Sequence, residues 1–327
     1  MAKNPAPRRR GGDLGFRAGT GFFAALVVLL VAGIAFVLWR ESRLSIAKFG
    51  FDFWRTKTWD PVSGEFGALP FIWGTLYSSF LALLISTPVA LGIAIFLSEL
   101  SPRVLRTPLA FLTELLAAIP SIVYGLWGVF VLVPLVRKLE LLAPAWARSL
   151  PLFSGPPLGV GMLSAALILA VMIIPFTSSV AREVLKAVPA TQREAAYALG
   201  ATRWEAIQVT MRYGRTGIIG AVILGLGRAI GETIAVTIVI GNAPQIGSHL
   251  FGQGYSLAAV IANEFGEAQE LHRSALFAAG LVLFVLTLLV NVIARLLVRR
   301  AARGGEARHI VADYTDTNTP IGTALGA

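Results

Sequence analysis

The chain contains no cysteine, which removes disulfides, thiolate metal sites and cysteine nucleophiles together. Charge is scarce as well. Asp, Glu, Lys and Arg make up 14% of the 327 residues, where a soluble domain carries about 25%. None of the few lysines follows a glycine, so there is no G-x-x-x-x-G-K-[ST] loop for nucleotide phosphates. G-x-S-x-G and H-E-x-x-H are missing too. His249, His272 and His309 stand too far apart for a local metal motif and read as loop positions. No catalytic residue, cofactor or metal is expected, and any energy from ATP must enter through another subunit.

What the chain has in abundance is apolar surface. Hydrophobic residues reach 56% and mean hydropathy is +0.73, too apolar for a fold that must cover itself in water. The 33 glycines and 17 prolines suit membrane helices, which tolerate both residues better than soluble ones do. Six segments are long enough to cross a bilayer, which takes about 20 apolar residues. They are Ala18–Trp39, a stretch within Phe66–Ser98, Pro108–Val136, a stretch within Ser149–Ala181, Gly217–Gly241 and Ser274–Ala294. A β-barrel would instead show alternating strands of about ten residues, and none is visible. The expected fold is all-α, a polytopic bundle of six transmembrane helices. The first segment follows Arg8, Arg9 and Arg10 but is too long for a signal-peptide core, and no small-residue cleavage site follows Trp39. It reads as a retained helix.

The net charge of +10 raises the question of nucleic acid. Distribution answers it. With the N-terminus inside, 18 of the 28 Lys and Arg fall in cytoplasmic segments and 9 outside, the bias that sets membrane orientation. No nucleic-acid partner is expected, and membrane lipid is the surrounding medium. Both termini are placed in the cytoplasm. The organisation is a basic tail (1–19), a transmembrane domain (20–298) and a cytoplasmic C-terminal tail (299–327).

Residues 182–216 hold nine charged side chains and cannot sit in lipid. Pro189 punctuates the segment, and Thr191-Gln192-Arg193-Glu194 has the form of a capping box, with Thr202-Arg203-Trp204-Glu205 as a second. Gly200 between them suits the left-handed end of a helix. Two short helices hinged at Gly200 are expected, either resting on headgroups or docked on another protein. Small residues along one face, with Arg and Glu at the rim, favour docking.

Glu194-Ala195-Ala196-Tyr197-Ala198-Leu199-Gly200-Ala201-Thr202, followed by Trp204, resembles the "EAA" loop of permease subunits in bacterial ABC importers. The resemblance implies the ABC importer permease fold, with Glu194, Ala195, Ala196, Gly200 and Thr202 coupling to a cytoplasmic ATPase. The match departs at Arg212-Tyr213, where that family commonly carries a proline. Three further blocks narrow the family: Ala118–Gly128, Leu224–Thr233, and Ala262-Asn263-Glu264-Phe265. Together they resemble the PstC-type permeases of phosphate importers, over about residues 20–300. That implies inorganic phosphate as substrate, a PstA-type permease as heterodimer partner, two ATPase copies, a periplasmic or extracellular phosphate-binding protein, and the bacterial inner membrane as location.

Read for themselves, Pro120 breaks a backbone hydrogen bond and kinks its helix, and Gly125 and Gly128 permit close helix contact. Gly225-Leu226-Gly227 is no dinucleotide site, since no strand precedes it. Arg228 lies about 16 Å beyond Gly217 along a helix, near the bilayer midplane, and Glu232 four residues later is expected on the same helical face. The pair is either a structural ion pair or part of an anion pathway that includes Thr233. Other oxyanion permeases (sulfate, molybdate, phosphonate) and the PstA-type partner share these features. An ion-coupled secondary transporter or a channel would have no need of the twin-helix loop. An intramembrane enzyme would need the nucleophile and metal motifs that are missing.

Overall fold

The computed structural model describes residues 11–142 and 155–316, with 144, 146, 150 and 153. Arg8–Arg10 of the basic tail and the last eleven residues of the C-terminal tail, 317–327, lie outside the described residues.

The chain begins with α1 (Gly11–Glu41) and α2 (Arg43–Phe49), then a 3-10 turn (Gly50–Trp54) and a two-stranded hairpin, β1 (Trp59–Asp60) against β2 (Glu65–Phe66). Helix α3 (Leu69–Ile95) runs on into a π-helical turn, Phe96–Leu100. Then follow α4 (Arg103–Ala118), α5 (Ser121–Trp127) and α6 (Val133–Leu142), the last two joined by another π turn, Gly128–Leu132. Helix α7 (Met162–Lys186) leads to two short helices, α8 (Ala190–Ala198) and α9 (Arg203–Tyr213). The chain continues through α10 (Arg215–Gly231), α11 (Ile234–Val239) and α12 (Leu257–Glu264) to α13 (Glu270–Asp316). The end of the bundle bearing α8 and α9 is called the loop end, and the opposite one the hairpin end.

Five helical stretches among the described residues are long and apolar enough to cross a membrane: Gly15–Glu41, Leu69–Leu100, Ser121–Leu142, Met162–Lys186 and Glu270–Leu296. Four of them fall where the sequence places spans. The expected third span, 108–136, is divided. Ile119 and Pro120 are extended (ψ 131° and 141°), because proline offers no N–H and disfavours helical backbone in the residue before it. The Tyr124 hydroxyl donates to the Leu116 carbonyl at 2.8 Å and so satisfies one of the acceptors the break exposes. The apolar span therefore starts at Ser121, and α4 is a separate, amphipathic helix. The expected fifth span is divided too, after Gly231, into α10 and α11.

Helix α7 is the hub. Ala165, Ile168, Leu169, Ala170, Met172 and Ile173 are buried, meeting Ala82 of α3, Leu132, Val136 of α6, and Val236 and Val239 of α11. Small residues let backbones approach. A Cβ on Gly225 would lie 2.5 Å from the Thr177 hydroxyl, and one on Gly125 would lie 3.2 Å from the Ala235 Cα. Close approach of this kind takes the place of the hydrophobic drive that lipid removes. Helix α1 is the opposite case, with no part of its apolar window buried.

At the hairpin end a second core gathers Phe53, Phe66, Phe71, Tyr255, Leu257 and Leu276. Trp59 stands edge-on to Phe66 and Phe71, both at 4.8 Å between ring centres. Aromatic pairs favour this edge-to-face geometry.

Candidate functional site

The loop end is built from local rules. Pro189 opens α8 with φ −56° and no side-chain cap. Thr191 and Glu194 therefore lie inside the helix, and the first expected capping box does not form. Proline's fixed φ starts the helix one residue before threonine could cap it. The second box forms. The Thr202 hydroxyl accepts the Glu205 N–H, and the Glu205 carboxylate accepts the Thr202 N–H at 2.7 Å. The Thr202 N–H, and the Thr202 hydroxyl donating to the same carboxylate at 2.8 Å, hold the Glu205 carboxyl below its usual range. Between the helices Gly200 has φ +82°. The Ala201 N–H reaches the Ala196 carbonyl at 3.0 Å and the Gly200 N–H reaches that of Tyr197 at 2.9 Å, the paired closure that a left-handed glycine allows. A Cβ on Gly200 would meet nothing within 4 Å, so backbone conformation and not space requires the glycine.

This element presents apolar side chains outward. Leu199 is 89% exposed, Trp204 57% and Tyr197 51%. Ala196 alone among the residues of α8 is buried, while Glu194, Ala195 and Ala198 face out. Since Glu194 does not cap its helix, its carboxylate is open to a partner. The surface is locally rigid, apolar at its centre and charged at its rim.

The second site lies within the bundle. Helix α10 ends at Gly231, and Glu232 is extended (φ −72°, ψ 127°), so Arg228 and Glu232 do not share a helical face as the four-residue spacing predicts. The Glu232 carboxylate turns instead to the start of α11 and accepts the Ala235 N–H at 3.4 Å. A free helix N-terminus attracts an anionic group, and that competes with Arg228. Among the described residues no carboxylate forms an ion pair with Arg228. Its guanidinium stands 6.0 Å from the Phe176 ring centre and its side chain is exposed on the single chain. The Thr233 hydroxyl bonds to the Gly231 carbonyl at 3.4 Å, and its own carbonyl accepts the Thr237 hydroxyl at 2.7 Å. These bonds partner the Gly231 and Thr233 carbonyls at the break without using Arg228.

Residues 86–303 match the family of binding-protein-dependent transport system inner membrane components. The chain belongs to this family. Among its relatives is a protein of Pasteurella multocida (strain Pm70) named phosphate transport system permease protein PstC. It is 49% identical over 296 residues, which cover 88% of this chain and 92% of that protein. A protein of the same name from Mesorhizobium japonicum (strain LMG 29417 / CECT 9101 / MAFF 303099) is 47% identical over 301 residues, 90% of this chain and 92% of that one. Among solved structures, an inward-facing MetNI methionine ABC transporter superposes with a TM-score of 0.54 at 19% identity, over 71% of this chain and 94% of its own. That likeness shows a shared fold. This protein is a multi-pass membrane permease with the ABC importer permease fold.

Glu99 escapes the sequence reading, and Asn263 and Glu264 enter it only as part of a family block, without their partners. Glu99 ends the second apolar stretch, and both its oxygens accept from Arg193 Nη1 at 3.0 Å. Its signal is faint: one acid at the edge of an uncharged run. At the hairpin end, Glu264 accepts from the Trp59 indole at 2.9 Å and from the Tyr255 hydroxyl at 3.3 Å, and meets His272 Nε2 at 2.9 Å. Asn263 donates to the Tyr255 oxygen at 3.1 Å, and burial pushes the Tyr255 hydroxyl up to about 12. His272 is no loop residue. It lies in the first turn of α13, stacked on Phe66 at 5.2 Å.

Proposed function

We propose that this permease forms one half of the translocation pathway of an ATP-driven phosphate importer, in the PstC-type role. The observation that carries the reading is the loop-end surface. Two short helices closed on themselves by a left-handed glycine and a capping box expose Tyr197, Leu199 and Trp204 to solvent. A connector lying on headgroups would have no need of a shape so locally specified, whereas a docking knob would. Glu194, Ala195, Ala196, Gly200 and Thr202 take the ATPase-coupling role. The loop end is then cytoplasmic, as are both termini, and the hairpin end receives a phosphate-binding protein outside the cell membrane. ATP hydrolysis belongs to the separate subunit, in two copies.

The anion is assigned from Arg228 together with the similarity to phosphate permeases. An arginine exposed at membrane depth costs roughly 2.5–3.5 kcal/mol against lipid, so its face of α10 meets water or a second permease, here a PstA-type chain. Its forked donors suit phosphate oxygens. Glu232 and Thr233 shape the helix break beside it, while Pro120 and Gly125 set the helix that packs against α11. The test is reconstitution of the two permeases and the ATPase in proteoliposomes, with binding protein added and labelled phosphate, sulfate and molybdate compared. ATP-dependent phosphate uptake supports the reading. Uptake without the ATPase, or of another oxyanion in preference, overturns it.

A further inference from the structure

Helix α3 is held at both ends by loops that do not meet. At the loop end it finishes in the π turn Phe96–Leu100, closed by the Ser101 N–H on the Phe96 carbonyl at 2.7 Å. Single π turns in helices are frequent at functional sites. Glu99 stands in this turn with its side chain 10% exposed, and its carboxylate takes Arg193 of α8. Its backbone carbonyl accepts Arg203 of α9 at 2.9 Å. Arg193 is fixed further by its Nη2, which donates to the Val188 carbonyl at 3.2 Å. Among the described residues, Glu99 is the one position outside the loop whose hydrogen bonds reach both short helices.

At the hairpin end the first turns of α3 grip the chain between α11 and α12. The Trp73 indole donates to the Gly247 carbonyl at 2.9 Å, and the Tyr77 hydroxyl to that of Ser248 at 2.8 Å. The Thr75 hydroxyl accepts the Leu257 N–H at 2.9 Å. Gly74 lies so close to Tyr255 that a Cβ there would collide with its backbone carbonyl. Between these grips α3 packs along α7 and against α10, the helix that carries Arg228. Its 32 residues through Leu100 give a strut of about 48 Å at 1.5 Å per residue.

We propose that Glu99 is a positioning residue through which the paired loop helices drive α3, so that their displacement reaches the 247–257 segment at the far end. This rests on the reading of residues 182–216 as the ATPase-docking element. A poorly solvated carboxylate shared with one arginine resists sliding, because separating the pair strands a charge. A surface connector would leave the loop free to tilt without moving α3.

The test uses the reconstituted complex and reads phosphate moved per ATP hydrolysed. Glu99→Gln keeps the shape and removes the charge, and is expected to lower that ratio about tenfold, a typical coupling magnitude. Arg193→Gln should do the same, and the double variant should be no worse than either alone, since both remove one interaction. The chain's lack of cysteine permits an independent readout: Ser248→Cys, labelled with a membrane-impermeant maleimide with and without ATP and vanadate. With Glu99 present the labelling rate should change with nucleotide; in Glu99→Gln it should not. An unchanged ratio, an unchanged nucleotide response at position 248, or additive losses in the double variant would overturn the proposal. So would loss of the ATPase from the purified Glu99→Gln complex, which would make Glu99 an assembly contact alone. Failure of the unmodified complex to show ATP-dependent uptake would instead bring down the importer reading, and this inference with it.

Discussion

Arg182 and Arg228 both lie on helices of the bundle, and the chain treats them in opposite ways. Arg182 is 6% exposed at the loop end of α7, where Nη2 meets Glu114 and Glu183, each at 2.9 Å. It ties α4 to α7. Arg228 lies in the last turn of α10 and is exposed, its guanidinium 6.0 Å from the Phe176 ring centre. A buried charge that is paired is accounted for by its partners; an exposed arginine on a membrane helix is a functional-site hypothesis by default. The contrast is the reason for proposing Arg228, and not Arg182, as the arginine that handles the anion.

The largest expected effect follows from the bare arginine. Arg228→Gln should cut phosphate uptake about a hundredfold, the upper range for a hydrogen bond to a charged group, while the complex still assembles. Size-exclusion chromatography and uptake in the same proteoliposomes separate the two effects. Near-normal uptake would return Arg228 to a packing role. Arg182→Ala should act on the other axis. It removes both ion pairs and the burial of the stem, destabilising the permease by about 2 kcal/mol, visible as a lower apparent melting temperature in detergent. Uptake per surviving complex should stay near normal. A large uptake defect at unchanged stability would erase the distinction.

Gly200→Val comes next. Left-handed backbone costs a non-glycine residue about 1–2 kcal/mol, and the open space around Gly200 means that no clash adds to it. The variant should reach the membrane intact and show reduced phosphate-stimulated ATP hydrolysis. Gly200→Asn should recover much of it, because asparagine tolerates this conformation better. Equal activity in all three would show that the loop does not depend on its hinge.

Much of this was legible from the residues, and the failures have common causes. Hydropathy locates four of the spans, because an uncharged run of 20 or more residues has few alternatives. The hinge at Gly200 and the cap at Thr202 are local, so sequence reveals them. Breaks within apolar runs are harder. The runs 108–136 and 217–241 look continuous, yet Ile119-Pro120 and Glu232-Thr233 leave the helix, and hydropathy does not register backbone direction. At Thr191 a correct motif lost to the proline two residues before it. Glu99 and Glu264 acquire their partners only through folding: Arg193 lies 94 residues from Glu99, and Trp59 lies 205 from Glu264. No pattern within one helix announces such pairs.

The smallest expected effect gives the sharpest test of the bare arginine. Were Glu232 the counter-charge of Arg228, neutralising it would free the guanidinium and change phosphate handling strongly. The structure gives Glu232 a different partner, the Ala235 N–H at the start of α11. Glutamine keeps a side-chain oxygen there and loses only the favourable charge at the helix start, about 0.3–1 kcal/mol for an exposed terminus and less where a neutral acceptor remains. Glu232→Gln should therefore leave uptake within about threefold of normal, since 0.6 kcal/mol corresponds to roughly that factor. Glu232→Ala removes the acceptor and should do more harm than glutamine. The reversal Arg228→Glu with Glu232→Arg should fail as badly as Arg228→Gln, because the two side chains do not meet. Rescue by the reversed pair, or a Glu232→Gln defect as deep as that of Arg228→Gln, would show that the charges work together and that the unpaired arginine is not the resting arrangement.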